Sequence, residues 1–141
     1  MANKSLAQQV ALVVGVVYIA IGLLGFVFTG FGYLMADHGD KFLGIVEINP
    51  FHNIFHLLVG IYLAIVSQAD TSVTEGALIG GGLVFVLAFI LGVTNSLQIL
   101  SMDTPSVGAN VLHIVTGIAA LVVGLASATR TSSARSRGAY G

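Results

Sequence analysis

Four stretches of the chain are apolar almost without interruption, and the polar residues gather between them. They run from about Val10 to Thr29, Pro50 to Gln68, Gly76 to Leu97 and Val107 to Ala128. Each is close to the ~20 residues that cross a hydrocarbon core of about 30 Å. The alternation that a membrane barrel strand would need is absent. Inside lipid a backbone must satisfy its own hydrogen bonds, so the four runs predict helices. Short connections make neighbours antiparallel, which predicts an all-α, up-down four-helix membrane bundle over residues 1–128. The first run, behind Lys4, has the look of a secretory signal. Its length exceeds the usual apolar core of about 7–15 residues and no A-x-A site follows, so it is read as a span. Between the first two spans, Phe42 to Ile48 is apolar enough to lie on the membrane surface or fold back over the bundle. Residues 129–141 read as a polar tail expected to lack fixed structure.

Composition narrows the picture. Only 8% of the 141 residues are charged, against roughly 25% in a soluble domain, so a water-facing surface cannot be covered. The net charge of −1 leaves no basic footprint for nucleic acid. There is no cysteine, which removes disulfides, thiolate metal sites and cysteine nucleophiles. The acidic residues Asp37, Asp40, Glu47, Asp70, Glu75 and Asp103 are all placed between spans. Lys4, Arg130, Arg135 and Arg137 lie near the termini. Basic residues stay on the cytoplasmic side, so both termini are expected there.

The second and fourth spans share a pattern. Asn53, His56, Gly60 and Ile61 recur as Asn110, His113, Gly117 and Ile118, 57 residues further on. The first and third spans match only loosely, through glycines and apolar residues. This suggests a duplicated helical hairpin, its halves related by an axis along the membrane normal. Residues at i, i+3 and i+7 share a helix face, so Asn53, His56 and Gly60 line one stripe, and Asn110, His113 and Gly117 line its counterpart. Polar side chains in a span face the bundle interior. Glycine on the stripe admits a second backbone or a flat ligand. Three readings follow. The first is polar glue between helices. The second is axial ligation of a b-type haem or chlorophyll-type pigment by His56 and His113, with Asn53 or Asn110 holding the far ring nitrogen. The third is a proton or ion role.

Other candidates carry less. His52 and His56, at i and i+4, can chelate a metal from one face, but no metalloprotease-type glutamate adjoins them. Asp37, His38 and Asp40 could suit a divalent cation and also look like an ordinary polar loop. Gly76 and Gly80 form a G-x-x-x-G followed by Gly81 and Gly82, and Ala120, Gly124 and Ala128 repeat a small residue every four. Such faces drive close packing within a bundle or between subunits. Tyr18, Tyr33 and Tyr62 read as packing residues. No phosphate loop, nucleophile elbow or carboxylate pair occurs, so an enzyme is not expected. Without a charge in its spans, a single bundle also makes a poor ion path.

The run Asn49-Pro-Phe-His-Asn-Ile-Phe-His-Leu-Leu-Val-Gly60 and the repeat Asn110-Val-Leu-His113 resemble domain-of-unknown-function family 4383, small four-span proteins mainly of actinobacteria. The resemblance covers most of the chain apart from the tail. It implies a bacterial plasma-membrane location and the four-helix fold, and no activity. The expectation is a non-enzymatic accessory or scaffolding subunit that packs in the bilayer beside other membrane subunits or a second copy. The alternative is the cofactor protein with His56 and His113 as ligands.

Overall fold

The computed structural model describes residues 4–32, 34, 41–42, 46–97 and 106–139. Among them lie four helices, α1 (Leu6–Thr29), α2 (Pro50–Val66), α3 (Thr71–Val93) and α4 (Val107–Ala139). A short antiparallel pairing of β1 (Lys41–Phe42) with β2 (Val46–Glu47) lies between α1 and α2. Three helices, α1, α3 and α4, are long and apolar enough to cross a membrane. The 17 residues of α2 are also apolar and, at 1.5 Å each, span about 25 Å, the short end of the range.

Local sequence sets the ends. Ser5 and Gln8 form a capping box: Gln8 N donates to Ser5 Oγ, and Ser5 N donates to Gln8 Oε1. α1 therefore begins four residues before its expected edge. It stops at Gly30, whose φ of 65° suits glycine. At α2, Asn49 Oδ1 accepts from His52 N at 2.8 Å, and Pro50 takes the first helical position, where its missing N–H does no harm. α3 begins at Thr71, and the left-handed Asn95 (φ 55°) follows its end. The turn from Ser67 to Asp70 is tied to the N-terminus. Lys4 Nζ donates to Ser67 O and Gln68 Oε1, and Gln8 Nε2 donates to Ala69 O.

The bundle consists of two intimate hairpins, α1 on α2 and α3 on α4, with lighter contact between them. Their close approaches correspond. A Cβ on Gly15 would meet Gly60 O and Ala64 N, both at 2.8 Å. A Cβ on Gly82 would meet Gly117 O at 2.9 Å and Leu121 N at 3.0 Å. Ala64 and Leu121 are separated by the same 57 residues as Gly60 and Gly117. Gly15 and Gly82 are 67 apart, as are Tyr18 and Phe85. Small residues let these backbones touch, which is how helices associate where lipid removes the hydrophobic drive between them.

The residue distribution is the reverse of a soluble bundle's. The shared core is built of Ala7, Ala11, Leu63, Leu78 and Ala120. Large aliphatics such as Leu24, Leu58, Ile65, Leu83, Leu87 and Val122 are exposed around the outside. That pattern places the helices in a lipid bilayer, where acyl tails cover the aliphatic surface.

Two expectations need correction. The stretch after Ala128 does not lose its structure at once; α4 continues to Ala139. Extending a formed helix is easy once nucleation is past, and Ser132, Ser133 and Ser136 turn their hydroxyls onto carbonyls three or four residues back. Glu75 does not lie in a connection. It sits in the second turn of α3, 4% exposed, accepting hydrogen bonds from Ser127 and Thr131 of α4 at 2.7 Å each. Of the two placements expected for the segment from Phe42 to Ile48, its last residue fits folding back over the bundle: Ile48 is 1% exposed and packs on Ala109 at the start of α4.

Candidate functional site

The polar centre of the bundle is made of imidazoles. His52 and His56 sit one turn apart on α2, where the i, i+4 spacing puts both on one face. His113 comes from α4. The three are 5%, 4% and 4% exposed. The ring centroids of His52 and His56 are 4.3 Å apart, and those of His52 and His113 are 6.0 Å apart. One ring nitrogen from each residue can be chosen so that all three lie within 4.8 Å of one another. Sequence spacing had paired His52 with His56, and the repeat had paired His56 with His113. The fold merges the two pairs.

An aromatic pair backs this cluster. Tyr18 of α1 meets His56 edge-on at 5.3 Å, Phe85 of α3 lies 6.1 Å from His113, and the two aromatics pack together at 4.9 Å. The Tyr18 hydroxyl donates to Thr116 Oγ1 at 3.1 Å, a bond from the first hairpin to the second. Beside the imidazoles lies a cavity of about 140 Å³ whose walls include His52, His56, His113, Val59, Ala88 and Leu97. It reaches the outer surface between α2 and α3, past the exposed Phe55, Val84 and Leu87.

Hydrogen bonding at the cluster is incomplete. Both ring nitrogens of His56 and Nδ1 of His113 are buried without a partner among the described residues. A buried polar group left so typically costs about 1–3 kcal/mol. A neutral imidazole always presents one N–H and one lone pair, so His56 leaves both functions unused.

The asparagines do not supply the missing partners. Asn53 turns to α1, where Nδ2 donates to Thr29 Oγ1 at 2.9 Å and Oδ1 lies over Gly25. Asn110 lies in the same way over Gly92 of α3. Each thus packs on the partner helix of its own hairpin, and among the described residues neither hydrogen-bonds to an imidazole. Gly60 and Gly117 are likewise filled by the facing backbones of Gly15 and Gly82, which leaves no slot for a flat ligand on those stripes. Glu75 escaped sequence reasoning; its signal was the Ser127 and Thr131 spacing on the facing helix. The candidates Asp37, His38 and Asp40, and Tyr33, lie outside the described residues. Tyr62 is 52% exposed on the outside of α2.

Neutral imidazole is a good ligand for zinc, copper, nickel and iron. The cavity is about the size of an engineered void that admits a benzene ring. Fold and site define a small all-α membrane protein with a buried imidazole cluster where its two hairpins meet. The chain belongs to the family described as domain of unknown function DUF4383, whose model matches residues 8–138. No curated protein and no solved structure matches it.

Proposed function

We propose that this protein is a non-enzymatic subunit of the bacterial plasma membrane that packs beside a larger membrane assembly through α3. One contrast carries the reading. Gly15, Gly22, Gly25, Gly60, Gly82, Gly92, Gly117 and Gly124 each have a neighbour where a Cβ would go. Gly76, Gly80 and Gly81 have nothing within 4 Å. Glycine weakens a helix by about 1 kcal/mol relative to alanine, and in the other eight that loss is offset by close packing. The three on α3 have no such return among the described residues. They border a groove of about 420 Å³ floored by Val59, Leu63, Ala77 and Phe85. Small-residue faces of this kind admit another transmembrane helix.

The two hairpins are best understood as a duplication, supported by their corresponding glycine contacts and by the Asn-x-x-His-x-x-x-Gly-Ile repeat. Lys4 bonds the Ser67–Asp70 turn, and Thr131 reaches Glu75, so Lys4 and the end of α4 with its arginines share one end of the bundle, while Lys41 lies in the connection between α1 and α2. That end is cytoplasmic by the inside-positive rule.

A photo-crosslinking residue at Val84 tests the docking reading in native membranes, with Val122 as the lipid-facing control. The expected result is one discrete heteromeric adduct at Val84, absent at Val122 and abolished by Gly80→Leu. Adducts with a second copy only, or none at either position, would overturn it. The convergence of His56 and His113 favours a haem- or chlorophyll-type protein as the second reading, and the filling of the Gly60 and Gly117 stripes by facing backbones counts against it. A Soret band lost in both His56→Ala and His113→Ala would put that reading first.

A further inference from the structure

We propose that His52, His56 and His113 form a binding site for one late first-row transition-metal ion, copper or zinc, with a fourth coordination position open to the adjoining cavity. The geometry comes first. Three nitrogens within 4.8 Å of one another need to close to about 3.3 Å to surround an ion at the usual 2.0–2.1 Å in tetrahedral geometry. Closing that gap requires the three side chains to rotate toward one another.

The second observation is independent of the first. His56 is 4% exposed with both ring nitrogens lacking a partner, and His113 Nδ1 is in the same state. Polar glue would pair these atoms with one another or with hydroxyls. A bound ion would instead take up one lone pair from each ring.

The third observation is an asymmetry. His56 and His113 correspond in the two hairpins, but the counterpart of His52 is Ala109. Two imidazoles suffice to join two similar halves. The third completes the ligand set of an open metal site, three protein ligands and one free position.

The donor set selects the ion. Among the described residues no carboxylate belongs to the cluster, a donor set that suits copper and zinc rather than magnesium, calcium or manganese. Three neutral ligands leave the ion's charge uncompensated in a low-dielectric interior. Copper(I) brings a single positive charge. Zinc brings two and calls for an anion, hydroxide or chloride, in the fourth position, where the cavity has room.

The test uses the full chain in detergent micelles. Zinc is titrated against a chromogenic zinc chelator, and copper(I), under reductant, against a chromogenic copper(I) chelator. The expected result is one ion per chain for at least one of them. Even groups that only orient a ligand are worth 10–100-fold in affinity, so His52→Ala, His56→Ala and His113→Ala should each lose on the order of 100-fold. His38→Ala, at the remaining histidine of the sequence, should bind as the parent does. If an alanine variant fails to fold, the parent protein still decides. Its unfolding midpoint should rise on addition of the ion, in the parent and in His38→Ala alike. Failure of the parent to compete with either chelator at micromolar ion, or equal binding by His56→Ala, would overturn the site. Neither outcome bears on docking through α3, which is read from crosslinks.

Discussion

The two hairpins have matching backbones and different chemistry. Gly15 on Gly60 is answered by Gly82 on Gly117, and Asn53 over Gly25 by Asn110 over Gly92. The differences lie where the halves meet. Tyr18 with its hydroxyl stands in the first hairpin where the second has Phe85, and His52 stands where the second has Ala109. Close packing between small residues fixes the scaffold twice over. The polar functions are concentrated in one half, with His113 reaching in from the other. A repeat can therefore preserve its folding rules in both copies while its binding chemistry diverges at a few side chains.

The sharpest way to break this comparison is to fill a matched glycine. Gly60→Leu would drive side-chain atoms into the backbone of Gly15 and Ile19, and overpacking of that kind costs about 3 kcal/mol or more where backbones must separate. Its counterpart Gly117→Leu should behave alike, and reversible unfolding from mild detergent into dodecyl sulfate, followed by circular dichroism, measures both. Next in size is Glu75→Ala at the opposite end. It strips the acceptor from Ser127 and Thr131 and should cost about 1–3 kcal/mol in the same assay. Glu75→Gln, which keeps an acceptor oxygen, should recover part of that.

A smaller effect has the opposite sign. Gly80→Ala meets open space, so the isolated protein should gain about 0.5–1 kcal/mol from better helix propensity while losing association in the membrane. Destabilisation of the monomer would mean that this face is already filled. Smallest is Tyr18→Phe, which makes the first hairpin resemble the second. It removes the bond to Thr116 and should cost about 0.6 kcal/mol, the typical worth of a polar contact between membrane helices.

Much of this architecture was legible in the sequence, because hydropathy and length alone decide what can cross a bilayer. The apolar run from Pro50 marked the start of α2, and the Asn-x-x-His repeat marked the facing histidines. The opening of α1 was missed because the capping box at Ser5 and Gln8 lies outside the apolar run. Glu75 was misplaced because an acidic residue beside an apolar run reads as a loop until two hydroxyls on another helix are seen to receive it. The end of α4 was misjudged because serine-rich composition resembles a tail, whereas propagation from a preceding span keeps it helical. His52 is the instructive case. Spacing tied it to His56, but its meeting with His113 depends on how one hairpin lies against the other, which no single helix encodes.

The account stands on three imidazoles from two hairpins converging at one point. X-ray absorption at the metal edge of the ion-loaded protein measures that most directly. The expected coordination sphere holds three imidazole nitrogens, with hydroxide or chloride as a fourth ligand when the ion is zinc, and falls to two imidazoles in His52→Ala. A shell dominated by water or carboxylate oxygen, or one unchanged by that substitution, would contradict it.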